Sequence, residues 1–176
     1  VRKDATALWN KELSKIEITD ANTENLKVFY TALYHSFTSP YLFTDVDGRY
    51  RGTDNQIHTT DKGHQIYTVF SLWDTYRALH PLLNIIDRHR TNDFLYTFLK
   101  QYEQGSMLPV WELSGYETWC MIGYHSVPVI YDAYVKGMHD YDANEMLQAM
   151  VHSATLNKLG RPQYAQYGYI PGDMEN

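Results

Sequence analysis

The sequence predicts a mainly helical protein of the all-α class, and three observations favour it. Apolar side chains recur at the i, i+3, i+4, i+7 spacing of an amphipathic helix, most clearly in Thr23–Phe37. Residues that end helices stand at the borders of such segments, among them Ser39-Pro40 and Gly105. Strand and helix patterns do not alternate along the chain as they do in proteins with a parallel sheet.

Six helices are predicted, separated by loops of quite different length. They are Asp4–Lys15, Thr23–Phe37, a helix from the Ser71 cap through Leu83 that Pro81 should kink, Asn92–Gln104, a helix through Pro128 that ends at Gly137, and Asp142–Leu156. Tyr41–Thr60 indicates turns or a small hairpin, and Ser106–Gly123 a loop. Unequal loops favour part of an (α/α)6 toroid over an up-down bundle, and the lack of an internal repeat disfavours a solenoid.

The composition excludes several classes of function. The 176 residues carry a formal net charge of -6 and no clustered basic surface, which argues against nucleic acid as a partner. No apolar run reaches the roughly 20 residues that a membrane-spanning helix needs. The single cysteine, Cys120, excludes an internal disulfide, a zinc knuckle and a CxxC pair. The sequence has no GxSxG, HExxH or Gly-rich phosphate motif.

Aromatic residues make up 15% of the chain, and 16 of them are tyrosines. Tyr and Trp combine an apolar ring with a polar tip, which suits both sugar binding and core packing. Composition alone leaves these two interpretations open and favours the core.

Polar and aromatic residues concentrate in two segments, Phe70–Pro81 and Leu108–His125. In the first, Asp74 and Arg77 are three residues apart, so they can form a salt bridge on a helix or serve a binding site. In the second, two glutamates lie in a loop between tryptophans and glycines. A carboxyl group that loses hydration in an apolar loop has a raised pKa and can act as a general acid, although spacing alone slightly favours a pair of solvent-facing loop glutamates.

The motifs in these segments resemble those of glycoside hydrolase family 92. The similar stretches are Tyr67-Thr68-Val69-Phe70-Ser71-Leu72-Trp73-Asp74-Thr75-Tyr76-Arg77-Ala78, Leu108-Pro109-x-Trp111-Glu112-Leu113, Gly115-x-Glu117-Thr118 through His125, Pro128-Val129-Ile130-x-Asp132-Ala133-Tyr134-x-Lys136-Gly137, and Tyr167-Gly168-Tyr169-Ile170-Pro171. They follow one another in order over nearly the whole chain from about Thr31.

The resemblance implies an exo-acting α-mannosidase that hydrolyses terminal α-linked, α-1,2 or related, mannose of glycans with inversion and uses a calcium ion. It also implies a bacterial enzyme that is secreted, periplasmic or on the cell surface, with an N-terminal β-sandwich packed on the toroid. Residues 1–176 would then be part of a single toroid catalytic domain, without the β-sandwich and the C-terminal remainder. We expect such a segment, without the remainder of its parent chain, to be inactive and poorly soluble or oligomeric.

The resemblance also suggests roles for individual residues. Glu117 is the candidate general acid and Glu112 the alternative, while the family's catalytic base is expected beyond Asn176, with Asp132 as a substitute. The calcium ligands stay unassigned. The residues expected to line the mannose pocket are Trp73, Asp74, Arg77, Trp111, His125 and, in the turn Tyr50–Asp54, Asp54.

Two other hypotheses stay open. One is another toroid glycosidase, such as a glucosidase or a trehalase, which sugar specificity would separate from a mannosidase. The other is a sugar-binding module or helical interaction domain, in which replacement of Glu112 and Glu117 would leave binding intact.

Overall fold

The computed structural model describes residues 1–172, and the chain divides into two compact units, Val1–Tyr41 and Leu42–Asn176. Roughly half of the described residues are helical and the strands are two or three residues long, so the helical class is confirmed. The order of elements is α1 (Arg2–Leu13), α2 (Thr23–Ser36), β1 (Tyr41–Leu42), β2 (Arg49–Arg51), β3 (Ile57–Thr59), β4 (Tyr67–Thr68), β5 (Phe70–Ser71), α3 (Leu72–Thr75), α4 (Leu79–Ile86), α5 (Arg88–Gly105), β6 (Trp111–Glu112), α6 (Ser126–Val135), α7 (Ala143–Thr155) and α8 (Arg161–Tyr167).

The first unit consists of α1 and α2. Asn22, one residue before the predicted start, caps α2 by accepting a hydrogen bond from the Glu24 N–H at 3.0 Å. Trp9 of α1 packs against Tyr34 of α2, with ring centroids 4.5 Å apart. The Tyr30 hydroxyl donates to the carbonyl of Ile16 at 3.3 Å, which holds the connecting segment against α2.

Helix α5 is the centre of the second unit. Its middle residues, Phe94 to Leu99, are all buried, and α4, α6 and α7 pack around it. Phe70 meets Phe94 and Phe98 edge-on, with ring centroids 5.3 and 4.9 Å apart. Edge-to-face aromatic packing fixes ring positions more strictly than aliphatic packing does. The core therefore holds β5, which carries one side of the candidate site, in a defined place.

His80 of α4 lies inside this aromatic core with 1% of its surface exposed. Its ring meets Phe94 edge-on at 5.6 Å between centroids. Among the described residues, neither ring nitrogen has a hydrogen-bond partner. Because burial disfavours the charged imidazolium, the pKa of His80 is lowered to about 4. His80 is therefore a neutral core residue at physiological pH.

The helix predicted from Ser71 through Leu83 is two helices, and the predicted break at Pro81 is wrong. The chain leaves helical geometry at Tyr76–Ala78, between α3 and α4. Pro81 is the third residue of α4 and therefore lies in its first turn. The N–H groups of the first turn have no partner within any helix, so a proline, which lacks an N–H group, is tolerated there. Helix α5 begins four residues before the predicted start, because Asp87 caps it by accepting from the Arg90 N–H.

Two strand pairs frame the site. The predicted hairpin is β2 and β3, antiparallel, with Tyr50 opposite His58. Strands β5 and β6 are also antiparallel, with Phe70 opposite Glu112 and Ser71 opposite Trp111. This second pair joins the two segments in which the sequence concentrates polar and aromatic residues.

Candidate active site

The two candidate catalytic glutamates lie at the base of one tight turn. Glu112 and Glu117 form an antiparallel bridge. Between them, the Leu113 N–H donates to the Tyr116 carbonyl at 2.8 Å, and the Tyr116 N–H donates back to Leu113 at 3.1 Å. The segment predicted as a plain loop is thus a closed turn that places the two carboxylates beside each other.

Glu112 is almost completely buried, with 1% of its surface exposed. Its carboxylate accepts hydrogen bonds from the Thr68 hydroxyl at 2.8 Å, the Val69 N–H at 3.1 Å and the Gly115 N–H at 2.5 Å. Burial raises the pKa of Glu112, while these donors oppose the rise and the nearby charge of Glu117 adds to it. The carboxyl group is enclosed by donors from two segments of the chain.

Glu117 is less buried, and its carboxylate organises the neighbouring backbone. It accepts from the Val110 N–H at 2.8 Å, the Trp111 N–H at 3.1 Å and the Trp119 N–H at 3.3 Å. It lines a cavity of about 160 Å³, which Glu112 also borders. The other lining residues include Thr53, Gln101, Met107, Leu108, Pro109 and Trp119. Both glutamates border this cavity, and Glu117 is the more exposed of the two.

Gly115 in the turn has a conformation and a setting that exclude a side chain. Its φ is +75°, and a Cβ atom would lie 2.9 Å from the carbonyl oxygen of Arg51. Its N–H is also a donor to Glu112. Gly63 offers a matched comparison because its φ is +96° and a Cβ atom there would meet nothing within 4 Å.

We therefore expect Gly115→Ala to destabilise the protein more than Gly63→Ala does. The shared penalty for a left-handed residue is about 1–2 kcal/mol, and the contact with Arg51 adds about 1–3 kcal/mol at Gly115 alone. Chemical denaturation of the two variants measures the difference. Equal losses of stability would show that the turn accommodates a side chain.

The β5–β6 pair connects the glutamates to the second predicted cluster. Trp111, whose N–H is bound by Glu117, lies opposite Ser71, directly before α3. In α3, Trp73 keeps 37% of its surface exposed, and the carboxylate of Asp74 accepts a short hydrogen bond from the Ser71 hydroxyl. Asp74 is therefore held by Ser71, and the possible helical salt bridge to Arg77 is not among the described ion pairs.

His125 is surrounded by the aromatic and basic residues of the first cluster. Its ring lies edge-on to Trp73, with centroids 4.9 Å apart, and 4.8 Å from the ring of Tyr76. The Arg77 guanidinium lies 5.1 Å from the Tyr76 ring centroid. Burial, and then the charge of Arg77, lower the pKa of His125, so both favour the neutral imidazole over the charged one. Two segments more than 40 residues apart thus meet at His125.

Asp54 lies in a different cavity from Glu117. That cavity measures about 350 Å³, and none of its lining residues lines the cavity of Glu117. Asp54 accepts from the Gln56 N–H at 3.0 Å and pairs with His58 at 3.0 Å. The Gln56 hydrogen bond, and then His58, lower the pKa of Asp54. The geometry identifies Asp54 as the residue that closes the β2–β3 turn.

Asp132, the substitute candidate for the base, is held by two partners. Its carboxylate accepts from the Asn84 amide at 2.7 Å and from the Lys136 ammonium at 2.6 Å. The Asn84 contact joins α4 to α6, and the Lys136 contact lies at the C-terminal end of α6.

Comparison with protein-family models identifies the family of this chain. The model described as "Glycosyl hydrolase family 92 catalytic domain" matches residues 1–176. The chain belongs to glycoside hydrolase family 92. The resemblance drawn from the sequence motifs is thereby confirmed.

Solved structures of family 92 agree with this membership. The chain is similar to the GH92 α-mannosidase BT3965 of Bacteroides thetaiotaomicron, with 42% identity and a TM-score of 0.91 over 99% of this chain and 24% of that one. It is also similar to the family 92 inverting mannosidase BT2199 of the same species, with 29% identity and a TM-score of 0.87 over 97% and 24% of the two chains. The chain thus spans about a quarter of these relatives. Among curated proteins, none matches the chain significantly.

The side chains that most often hold metal ions are not clustered in the described part of this family 92 chain. Residues 1–172 contain no group of three or more His, Cys, Asp or Glu side chains arranged to hold a metal ion. Glu112 is already saturated by hydrogen-bond donors, and Asp132 is paired with a lysine.

No helix among the described residues 1–172 is long and apolar enough to cross a membrane.

Sequence reasoning missed three residues of the candidate site. Thr68 and Ser71 bind Glu112 and Asp74, and Gln101 of α5 lines the cavity of Glu117. Thr68 and Ser71 lie within the motif Tyr67–Ala78, but the position of a Thr or Ser in a sequence does not indicate which group its hydroxyl binds. Gln101 interrupts an apolar helix face with a buried amide, and this break in the pattern was the available signal.

Proposed function

We propose that this chain is part of an exo-acting α-mannosidase, in which Glu117 donates a proton to the leaving oxygen of a terminal α-linked mannose. The observation that carries the proposal is the accessible carboxylate of Glu117 in a cavity walled by apolar and aromatic side chains, beside a second carboxylate. Water-poor surroundings strengthen a proton donor's interaction with the glycosidic oxygen. Membership of family 92 supports the same reaction.

The mannose pocket is proposed to extend from Glu117 along β6 to α3. Trp111, whose N–H binds the Glu117 carboxylate, pairs with Ser71 of β5. The proposed pocket then includes the residues of α3 and their neighbours, Trp73, Asp74, Arg77 and His125. Aromatic rings stack on the C–H faces of a sugar, while carboxylates and guanidinium groups bind its hydroxyls. Asp54 lies in a separate cavity, so it is not part of this pocket.

Hydrolysis with inversion is the stereochemistry we propose. An inverting glycosidase pairs its acid with a base that activates water on the opposite face of the sugar ring. Asp132 is held by Asn84 and Lys136, so the base is proposed to come from outside this chain. The similar protein BT2199 is described as an inverting mannosidase.

Calcium and the finer features of the fold belong to the same proposal. A calcium ion takes six to eight oxygen ligands, and the described residues contain no cluster of three His, Cys, Asp or Glu side chains, so we propose that its carboxylate ligands lie elsewhere in the full-length protein. The helices are proposed to be part of an (α/α)6 toroid, packed with an N-terminal β-sandwich. The full-length protein is proposed to act outside the cytoplasm on α-1,2-linked mannose of glycans.

Mannose release from α-1,2-mannobiose by the full-length protein, in calcium and then in excess EDTA, tests the proposal. We expect release in calcium, a loss of at least about tenfold in EDTA, and recovery when calcium is restored, because the ion would bind the sugar hydroxyls. A parallel assay on trehalose and an α-glucobiose controls for sugar specificity. Hydrolysis of those sugars instead of mannobiose would favour the glucosidase or trehalase alternative. Binding of mannobiose without hydrolysis would favour a sugar-binding module.

A further inference from the structure

His125 lies directly before α6, but its side chain does not cap that helix. The imidazole makes no capping hydrogen bond to the first turn. It lies instead edge-on to Trp73 of α3, with ring centroids 4.9 Å apart, and 4.8 Å from the ring of Tyr76, the residue that ends α3. The ring of His125 is therefore held by two aromatic side chains from a distant part of the chain.

Gly123 forms a further side of the same enclosure. A Cβ atom at this position would lie 2.4 Å from Cε1 and 2.7 Å from Nδ1 of His125, which is closer than such atoms can approach. The φ of Gly123 is +88°, in the left-handed region that favours glycine. Because Trp73 and Tyr76 also contact the ring, His125 would have to leave its position to avoid a Cβ atom. The absence of a side chain at Gly123 thus gives His125 its room.

One ring nitrogen of His125 remains for a ligand. Nδ1 is buried and has no hydrogen-bond partner among the described residues, whereas the residue as a whole is only partly buried. Nε2 is therefore the nitrogen that an incoming group can reach. Burial and the charge of Arg77 lower the pKa of His125 and favour its neutral form. A neutral imidazole binds a hydroxyl group, while an anion would need the charged form.

The surroundings of His125 suit a sugar ring. Trp73, beside it, keeps 37% of its surface exposed. An exposed aromatic ring can pack on the C–H face of a sugar while a neighbouring polar group binds a hydroxyl. The Tyr76 ring is different, because the Arg77 guanidinium lies over it at 5.1 Å. Trp73 and His125 together therefore supply the two kinds of contact that one sugar ring needs.

We infer that His125 determines specificity for mannose by binding one hydroxyl group of the terminal sugar through Nε2, and that Gly123 is the positioning residue that leaves room for its ring. The inference rests on the proposed mannose pocket, and it is independent of which group gives the proton to the leaving oxygen. It adds to the pocket a residue that has no functional group of its own.

Binding of methyl α-mannoside to the full-length protein in calcium tests the role of Gly123. We expect Gly123→Ala to raise the Kd, measured by a ligand-observed NMR titration, about tenfold, which corresponds to the loss of one hydrogen bond. Gly63 is the matched control, since its φ is +96° and a Cβ atom there would meet nothing within 4 Å. Gly63→Ala strains the backbone without displacing a ring, so we expect a change of at most about twofold. Equal Kd values for the two variants would contradict the positioning role.

The monodeoxy derivatives of methyl α-mannoside test the role of His125 itself. His125→Phe keeps a flat ring beside Trp73 and Tyr76 but removes both nitrogens, while His125→Gln restores a hydrogen-bonding group. In the wild type we expect removal of one particular hydroxyl to weaken binding about tenfold, and in His125→Phe the same removal to cost at most about twofold. His125→Gln should recover part of the dependence on that hydroxyl. A purely structural role would weaken the binding of every derivative equally.

The outcomes separate the inference from the function on which it rests. A wild-type protein that neither binds methyl α-mannoside nor hydrolyses α-1,2-mannobiose contradicts the proposed function and the inference with it. If the wild type is active, the same dependence on every hydroxyl in the wild type and in His125→Phe contradicts the inference alone. The His125 variants give this answer even where Gly123→Ala fails to fold.

Discussion

Glu117→Gln in the full-length protein will reduce kcat on α-1,2-mannobiose by about 10²–10⁴-fold, the usual contribution of a general acid. The amide of glutamine has no acidic proton to transfer, so departure of the second mannose would have to proceed without protonation. On 2,4-dinitrophenyl α-mannoside we expect a much smaller loss. Rates of mannose and dinitrophenol release at saturating substrate measure the two effects.

The structure suggests a control for this substitution. Glu24 is an exposed residue of α2 that pairs with Lys27, and both side chains are 70% exposed. Such pairs contribute little to stability, so Glu24→Gln makes the same chemical change without effect on catalysis. Mannobiose hydrolysis by Glu117→Gln at the rate of Glu24→Gln would contradict the role of Glu117.

Acidification will destabilise the wild-type protein through His80, and His80→Leu will remove that part of the pH dependence. The folded-state pKa of His80 is lowered from 6.5 to about 4 by burial. The unfolded chain therefore binds one more proton between those pH values, so stability is lost as the pH falls from 6.5 towards 4. A shift of this size corresponds to about 3 kcal/mol once the pH is below both pKa values.

Denaturant unfolding of the full-length wild type and His80→Leu from pH 7.5 to pH 4 measures this effect. The other titrating groups are common to both proteins, so the difference between the two stabilities isolates His80. We expect the difference to shift in favour of His80→Leu as the pH falls. A constant difference across the range would show that His80 is accessible to protons in the folded protein.

The fold could be predicted from sequence where the signal was local. The amphipathic spacing in Thr23–Phe37 predicted α2 to within one residue, the helix predicted over Asp142–Leu156 is α7 to within one residue at each end, and Gly105 marked the end of α5. The break between α3 and α4 was missed because Pro81 was the only local breaker in view. The chain breaks earlier, at Tyr76–Ala78, and on this side of the break Trp73 and Tyr76 contact His125, some 50 positions away, a contact that no local pattern predicts.

The site could be predicted in composition but not in arrangement. Glu112 and Glu117 were found together because they share one short motif with two tryptophans. The groups that bind each carboxylate could not be predicted, because Glu112 accepts from Thr68 and Val69, more than 40 residues earlier in the chain. The contacts of Asp54 also could not be predicted: it lies in the β2–β3 turn, where it accepts from the Gln56 N–H and lines a cavity separate from that of Glu117.

Proton NMR of α-1,2-mannobiose during the first minutes of hydrolysis by the full-length protein tests the central proposal most directly. It reports in one experiment whether mannose is released and with which anomeric configuration. An inverting α-mannosidase produces β-mannose first, with the α-anomer appearing only as the sugar mutarotates. Initial release of α-mannose, or no release of mannose at all, would contradict the proposal that this chain is part of such an enzyme.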